Sequence, residues 1–443
     1  MNISFHGAAQ EVTGSCCLLQ TEKTNLLIDC GMFQGGAEHE QKNFMEFGFD
    51  PASVQTLLVS HAHLDHIGRI PLLVKRGFSG TIFSTAATRD LSRLILEDAL
   101  GLAQREGREL FSAEDLEAAF RIWHAVPYYE KNTAEDVEFR FGRSGHILGS
   151  CLIEIWAEKK HLLFTGDLGN IPSVLLPPPD TIEGIEYLIT ESTYGSRTHE
   201  SAQERQLELE RAIEDVGSRA GVLMIPAFAA ERTQEILHLI NEMMHFKRIP
   251  DMPVFVDAPL AIRITEVYER YPDEYHEDIR ALMAAHPNLF KFKRLRLTES
   301  VEDSKAINDV PMPKVVIAGS GMMTGGRILH HARRYLPDEK SILLIIGYQG
   351  AGSLGRRLID GASVVRMFGE DVPVRAEVRK IGGFSAHADG PQLFSFADRM
   401  RDTLKRVFVV HGEPAEAMFL AQEIRDRMGI PADVPVLHEE VKI

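Results

Sequence analysis

The sequence predicts an α/β protein in which one domain interrupts another. Short apolar runs alternate with turns over residues 1–195, with only two helical stretches among them. The texture then changes to helix, strand, helix over residues 196–373, and the first pattern returns over 374–443. A chain of 443 residues is also longer than one ordinary core supports. The expected organisation is therefore a domain in two parts, 1–195 and 374–443, with an insertion between them.

The elements follow in order. Strands are expected at 17–19, 25–28, 56–59, 137–141, 151–156 and 161–164, with helices near 88–103 and 113–124. In the insertion, 200–216 and 231–244 carry helical periodicity, and 221–225 reads as a buried strand. Val254–Asp257, Lys314–Ala318 and 341–346 are apolar without alternation, as strands covered on both faces are. Strands of that kind separated by helices make a doubly wound α/β pattern. Residues 374–380 are expected to resume the first domain. The chain shows no internal repeat or low-complexity tract.

The densest chemistry lies in His61-Ala62-His63-Leu64-Asp65-His66, directly after the apolar run 56–59. A strand ending in a tight loop can direct His61 and His63 at one metal, leaving Asp65 and His66 to face a second position. Imidazole and carboxylate are the ligands Zn²⁺ favours in catalytic sites that keep a position open for water. Further candidates stand at the ends of other apolar strands, each beside glycine: His146 in Gly145-His146-Ile147, Asp167 in Gly166-Asp167-Leu168, and His411 in Val410-His411-Gly412. Together they complete two coordination spheres. His61, His63 and His146 hold one metal, Asp65, His66 and His411 the other, and Asp167 bridges.

With those motifs quoted, the chain resembles the β-CASP nuclease group of metallo-β-lactamase-fold hydrolases. Leu27-Ile28-Asp29-Cys30-Gly31 resembles the first motif of that fold, Glu191-Ser192-Thr193-Tyr194-Gly195 its motif A, Phe384-Ser385-Ala386-His387 motif B and Val410-His411-Gly412-Glu413 motif C. The resemblance covers nearly the whole chain. It implies an α/β fold, an αββα sandwich carrying an inserted doubly wound β-CASP domain, and a two-Zn²⁺ ribonuclease that hydrolyses phosphodiester bonds of single-stranded RNA. In that reading Asp29 orients the metal loop, Asp65 and Asp167 serve catalysis as well as the metals, His387 donates a proton to the leaving oxygen or steadies the phosphate, and Glu191 holds His387. The inserted domain is expected to cap the metal cleft. Gly325, Arg327, Arg356, Ser385 and His387 are expected to touch substrate, with the glycines of 319–326 exposing amides to phosphate. One departure from relatives is Asp257-Ala258-Pro259, where a serine often stands in place of Ala258. His330 and His331 are expected to be non-ligands, a surface or interdomain pair.

Composition limits the partners. With 44% hydrophobic and 25% charged residues the chain reads as globular, and no apolar segment approaches the ~20 residues that span a bilayer. No signal peptide opens it, and its four cysteines lack metal or disulfide spacing, so a reduced, cytoplasmic protein is expected. A formal charge of −16 argues for a narrow basic path in place of a broad basic face, with Arg197, Arg232, Arg327, Arg356 and Arg357 available to form it. The competing readings are a DNA nuclease of the same group and a small-molecule metallo-hydrolase. The chain has neither the long C-terminal domain nor the N-terminal KH module of some relatives, and it is expected to be the minimal two-domain form. A homodimer stays open.

Overall fold

The computed structural model describes residues 1–285, 288–347, 349–350 and 352–443. The chain divides into two units, Met1–Thr198 with His387–Ile443, and His199–Ala386. Among the described residues no helix is long and apolar enough to cross a membrane.

The first unit is built on two seven-stranded sheets. In one, Glu440–Lys442, Asn2–Phe5, Cys17–Gln20, Asn25–Ile28, Thr56–Leu58, Thr81–Ser84 and Trp123–Ala125 lie side by side. In the other the order is Ala432–Asp433, Arg406–Val409, Tyr187–Thr190, Lys160–Phe164, Cys151–Ala157, Val137–Arg143 and Lys131–Ala134. Alternation along the strands separates three apolar layers, because successive side chains leave a strand on opposite faces. Leu26, Ile28, Leu58, Phe141, Ile153, Leu162, Phe164 and Phe408 meet in a core shared by both sheets. Their neighbours Leu27, Leu57 and Val59 turn the other way, to Leu73, Leu96 and Phe120 of the helices outside the first sheet. Leu163, Leu188 and Val409 do the same towards Leu393, Leu420 and Ile424 outside the second. Helix, sheet, sheet, helix is the αββα sandwich expected.

Parallel pairing then gathers the site. Lys160–Phe164, Tyr187–Thr190 and Arg406–Val409 are adjacent and parallel, so Asp167, Glu191 and His411 leave neighbouring strands at the same edge. In the other sheet Asn25–Ile28 and Thr56–Leu58 are also parallel, which brings out Asp29 beside Ser60 and His61. Side chains just beyond the carboxyl ends of parallel strands are where α/β sheets place their chemistry.

The second unit is a parallel six-stranded sheet in the order Leu295–Leu297, Val254–Asp257, Lys314–Ala318, Val222–Pro226, Ile342–Ile345 and Glu377–Lys380. The helices Ala202–Arg219 and Arg232–His245 begin and end within about three residues of the periodicity that predicts them, and a further helix, Pro259–Arg270, is not among those expected. The chain's return differs from expectation. Residues 374–380 do not resume the first domain: Glu377–Lys380 pairs in parallel with Ile342–Ile345, and the first unit begins again only at His387. The strand pattern is right but its partner lies in the other sheet.

Ala258 has a structural consequence at the departure noted above. It is the residue before the first turn of Pro259–Arg270 and makes no side-chain cap. Ala258→Ser supplies a side-chain acceptor for the amides of that first turn and should stabilise the chain by about 1 kcal/mol. A urea titration measures this as a raised midpoint at unchanged slope.

Candidate metal centre

His61 and His63 follow the strand Thr56–Leu58, and Asp65 and His66 lie on the single helical turn Leu64–Ile67. That turn is held against the sheet by Ser15, whose amide donates to the Asp65 carbonyl (2.8 Å), and by Cys30, whose amide donates to the His66 carbonyl (2.8 Å). Gly31 makes the approach feasible, since a Cβ there would lie 1.6 Å from the Asp65 carbonyl oxygen.

Four donors converge first. His63 Nδ1 is 3.1 Å from both His61 Nε2 and His146 Nε2, and each of those is 3.4 Å from Asp167 Oδ2. A tetrahedron whose corners lie about 2.0–2.1 Å from its centre, the usual Zn–N distance, has edges of about 3.3–3.4 Å. The four separations, 3.1 to 3.4 Å, lie close to that edge length. A second set forms around the other oxygen of the same carboxylate. Asp167 Oδ1 is 3.4 Å from His66 Nε2, and Asp65 Oδ2 is 3.9 Å from His66 Nε2 and 3.5 Å from His411 Nε2. Among the described residues, His66 Nε2 and Asp167 Oδ1 are buried and have no hydrogen-bond partner. Buried polar atoms left in this way are costly, and a cation between them removes the cost. The residues present fit metal binding, with Asp167 in a position to bridge.

Electrostatics agree. Burial, reinforced by neighbouring imidazoles, lowers His61 to about 4 and His63 to about 3, and holds His146 well below an ordinary imidazole. Those rings are neutral at pH 7 and release no proton on taking a metal. Burial also opposes charging of His66 and Asp167, but here their mutual attraction wins, holding His66 well above and Asp167 well below the usual values. A buried carboxylate surrounded by imidazoles is the negative charge a divalent ion neutralises.

The surrounding residues orient the donors. Asp29, with no exposed surface, accepts from Ser60 N (2.8 Å), Ser60 Oγ (2.8 Å), Ser15 Oγ (3.2 Å) and His66 Nδ1 (2.7 Å). The last bond aims His66 Nε2 inward, the usual arrangement behind a ligating histidine. The Glu191 carboxylate accepts from Leu168 N (2.7 Å) and lies 3.0 Å from His387 Nδ1. Burial lowers the His387 pKa, but Glu191, Asp167 and Asp65 outweigh it and raise the value to about 9. His387 also lies near Asp167 (3.8 Å), yet its Nδ1 is committed to Glu191.

Sequence reading brought Asp29, His61, His63, Asp65, His66, His146, Asp167, Glu191, His387 and His411 to one place, and it missed the serines. Ser60 Oγ contacts both Asp29 and His61 Nδ1 (3.1 Å), and Ser150 Oγ accepts from the His146 amide (3.1 Å). Their only signal was adjacency to a ligand motif.

The expected substrate contacts fare differently, and all but His387 lie in the second unit. Arg327 is not an available cation: its guanidinium donates to Asp257 (2.7 Å) and to the carbonyls of Thr298 (2.9 Å) and Glu299 (2.7 Å). His331 is neither surface nor interdomain but buried against the same carboxylate (2.7 Å), while His330 stacks on Phe368. Thr298 and Ser304 also donate to Asp257. These bonds outweigh burial and hold its carboxyl well below the usual range. The 319–326 loop is a turn in which the amides of Ser320, Met323 and Thr324 bond within the loop, to Gly325 O, Ser320 O and Ser320 Oγ. Among the described residues, nothing lies within 4 Å of where a Cβ at Gly325 would stand. Arg356 is exposed and pairs with Asp360 on its own helix (2.9 Å), Arg197 pairs with Glu416 (2.8 Å), and Arg232 is buried against Glu235 and the Phe384 carbonyl. Ser385 is buried, its amide bonded to the Gly382 carbonyl (2.9 Å). Four of the five arginines expected to form a basic path are thus occupied.

Fold and site together define a metallo-β-lactamase-type α/β protein, and the family comparisons agree. Residues 9–215 match the metallo-beta-lactamase superfamily, 233–358 the Beta-Casp domain, and 371–435 the Zn-dependent metallo-hydrolase RNA specificity domain. The chain is 39% identical to Ribonuclease TTHA0252 of Thermus thermophilus over 95% of each chain. It is 34% identical to an RNase J-like protein of Methanocaldococcus jannaschii over 98% of each. It is also 31% identical to the transcription termination factor FttA of Methanosarcina mazei, over 97% of this chain and 70% of that one. A crystal structure of a protein of unknown function from Enterococcus faecalis V583 shares the fold, with a TM-score of 0.57 at 10% identity over 100% of this chain and 99% of that one. The chain belongs to the β-CASP family of metallo-β-lactamase-fold proteins.

Proposed function

We propose that this protein is a ribonuclease that hydrolyses phosphodiester bonds of single-stranded RNA with two Zn²⁺ ions. The observation that carries the reading is the pair of donor sets, His61, His63, His146 and Asp167 beside Asp65, His66 and His411, with the other Asp167 oxygen 3.4 Å from His66 and the Glu191–His387 pair next to them. The names of its relatives, ribonuclease and RNase J-like protein, point to the same chemistry.

In this reading His61, His63, His146 and Asp167 hold one ion, and Asp65, His66, His411 and Asp167 the other. When bound, two such ions lower the pKa of a water enough for attack at neutral pH and offset charge on the phosphate. The remaining work falls to the protein. Asp29 keeps His66 in the tautomer that presents Nε2. Glu191 accepts from His387 Nδ1, which leaves Nε2 as the nitrogen that donates a proton to the departing oxygen. Cytoplasm, where RNA substrates and reduced thiols coexist, is the location proposed, and the four cysteines are free and buried.

A cleavage assay tests the reading. Labelled single-stranded RNA should be cut, cutting should stop on chelation and return with Zn²⁺, and a β-lactam or thioester should be left intact. Equal or faster cutting of matched DNA would move the protein to the DNA-directed branch of the family. Thioester hydrolysis with RNA untouched would move it to the small-molecule hydrolases.

A further inference from the structure

We infer that Ser192 and Thr193 are positioning residues for the second metal, acting by holding His411 in a backbone conformation it would otherwise leave. The inference rests on the reading of His411 as a metal ligand.

His411 has φ +49°, in the left-handed region that non-glycine residues enter at a cost. Its own strand does not impose this, because Arg406–Val409 ends before it. The restraint comes from the end of the neighbouring parallel strand. Ser192 Oγ donates to the Val410 carbonyl (2.8 Å), and Thr193 Oγ1 and Ser192 N both donate to the His411 carbonyl (3.2 and 3.1 Å). From the other side the His411 amide donates to the Ala8 carbonyl (2.7 Å). The turn is close-fitting: a Cβ at Gly412 would lie 2.2 Å from Ser192 Oγ. Ser192 is fully buried and Thr193 is buried. Removing a hydroxyl from such a place leaves a carbonyl short of its partner, with no water to replace it. The backbone can then relax out of the left-handed region, and the imidazole moves away from Asp65 and Asp167.

The same tripeptide therefore has two outputs. Glu191 holds His387 through its carboxylate, and the next two residues hold His411 through their hydroxyls. The two site histidines furthest along the chain are set by three consecutive residues just after the strand Tyr187–Thr190, which precedes the insertion.

The test is an equilibrium zinc titration of the full chain against a chromogenic chelator, which resolves two affinities without reference to activity. Ser192→Ala/Thr193→Val should weaken the second zinc on the order of 10–100-fold, the range seen when residues behind a ligand are removed, and leave the first unchanged. Thr193→Val alone, nearly isosteric and with Ser192 retained, should show a smaller loss in the same site. Thr193→Ser, which keeps the hydroxyl, should bind as the wild type does. Equal weakening of both zincs, or of neither, overturns the inference, as does a Thr193→Ser that behaves like Thr193→Val. The underlying reading fails separately and recognisably: His411→Ala with two wild-type zinc affinities means that His411 is no ligand, and the inference falls with it.

Discussion

His387→Ala should cleave RNA about 10²–10⁴-fold more slowly, the usual cost of losing a general acid, while retaining both metals. His387 belongs to neither donor set but groups with Glu191 and Asp167, and its Nδ1 faces Glu191. Glu191→Gln should lose less, because the imidazole remains and only the partner that keeps it charged is gone. The two residues act as one unit, so the double variant should be little slower than His387→Ala alone. Single-turnover kinetics beside elemental analysis decides the matter. A His387→Ala protein that has lost a zinc makes His387 a ligand, and one that cuts at the wild-type rate removes the acid from the mechanism.

Asp167→Ala should be the most damaging substitution in the chain, with activity down about 10⁴-fold or more and zinc depleted from both positions. Each of its oxygens faces a different donor set, Oδ2 towards His61 and His146 and Oδ1 towards His66. Asp65→Ala and His411→Ala should instead empty the second position preferentially. Elemental analysis of unchelated protein, expected at two zincs in the wild type, separates these outcomes. Selective loss of one zinc in Asp167→Ala would show that the carboxylate serves a single ion. Because metal binding and folding are linked, chelation should also lower the unfolding temperature of the wild type, and do so less in Asp167→Ala.

The donors were legible in the sequence because their chemistry is carried by residue type and by position at strand ends. His61 to His66 announce themselves by density, and His146, Asp167 and His411 by the apolar run and glycine beside them. What sequence could not show depends on pairing. The stretch 377–380 has the pattern of a strand in either unit, and only its hydrogen bonds to Ile342–Ile345 assign it. Arg327 looked available because the residues that occupy it, Asp257, Thr298 and Glu299, lie about 30 to 70 positions away and meet it only in the folded sheet. His331 was misplaced for the same reason. The left-handed backbone at Asp29 and His411 was also hidden, because neither residue is a glycine that would have signalled it.

The route by which the donors are assembled has a consequence for synthesis. His61 and Asp167 emerge from the ribosome long before His411, whose strand Arg406–Val409 must dock beside Tyr187–Thr190. The final strand, Glu440–Lys442, then pairs with Asn2–Ser4 at the very start of the chain. A growing polypeptide presents His61, His63, His146 and Asp167 well before the strand that precedes His411. Contacts this distant in sequence form slowly. Of the two donor sets, the one that includes His411 is therefore expected to form last as the chain folds.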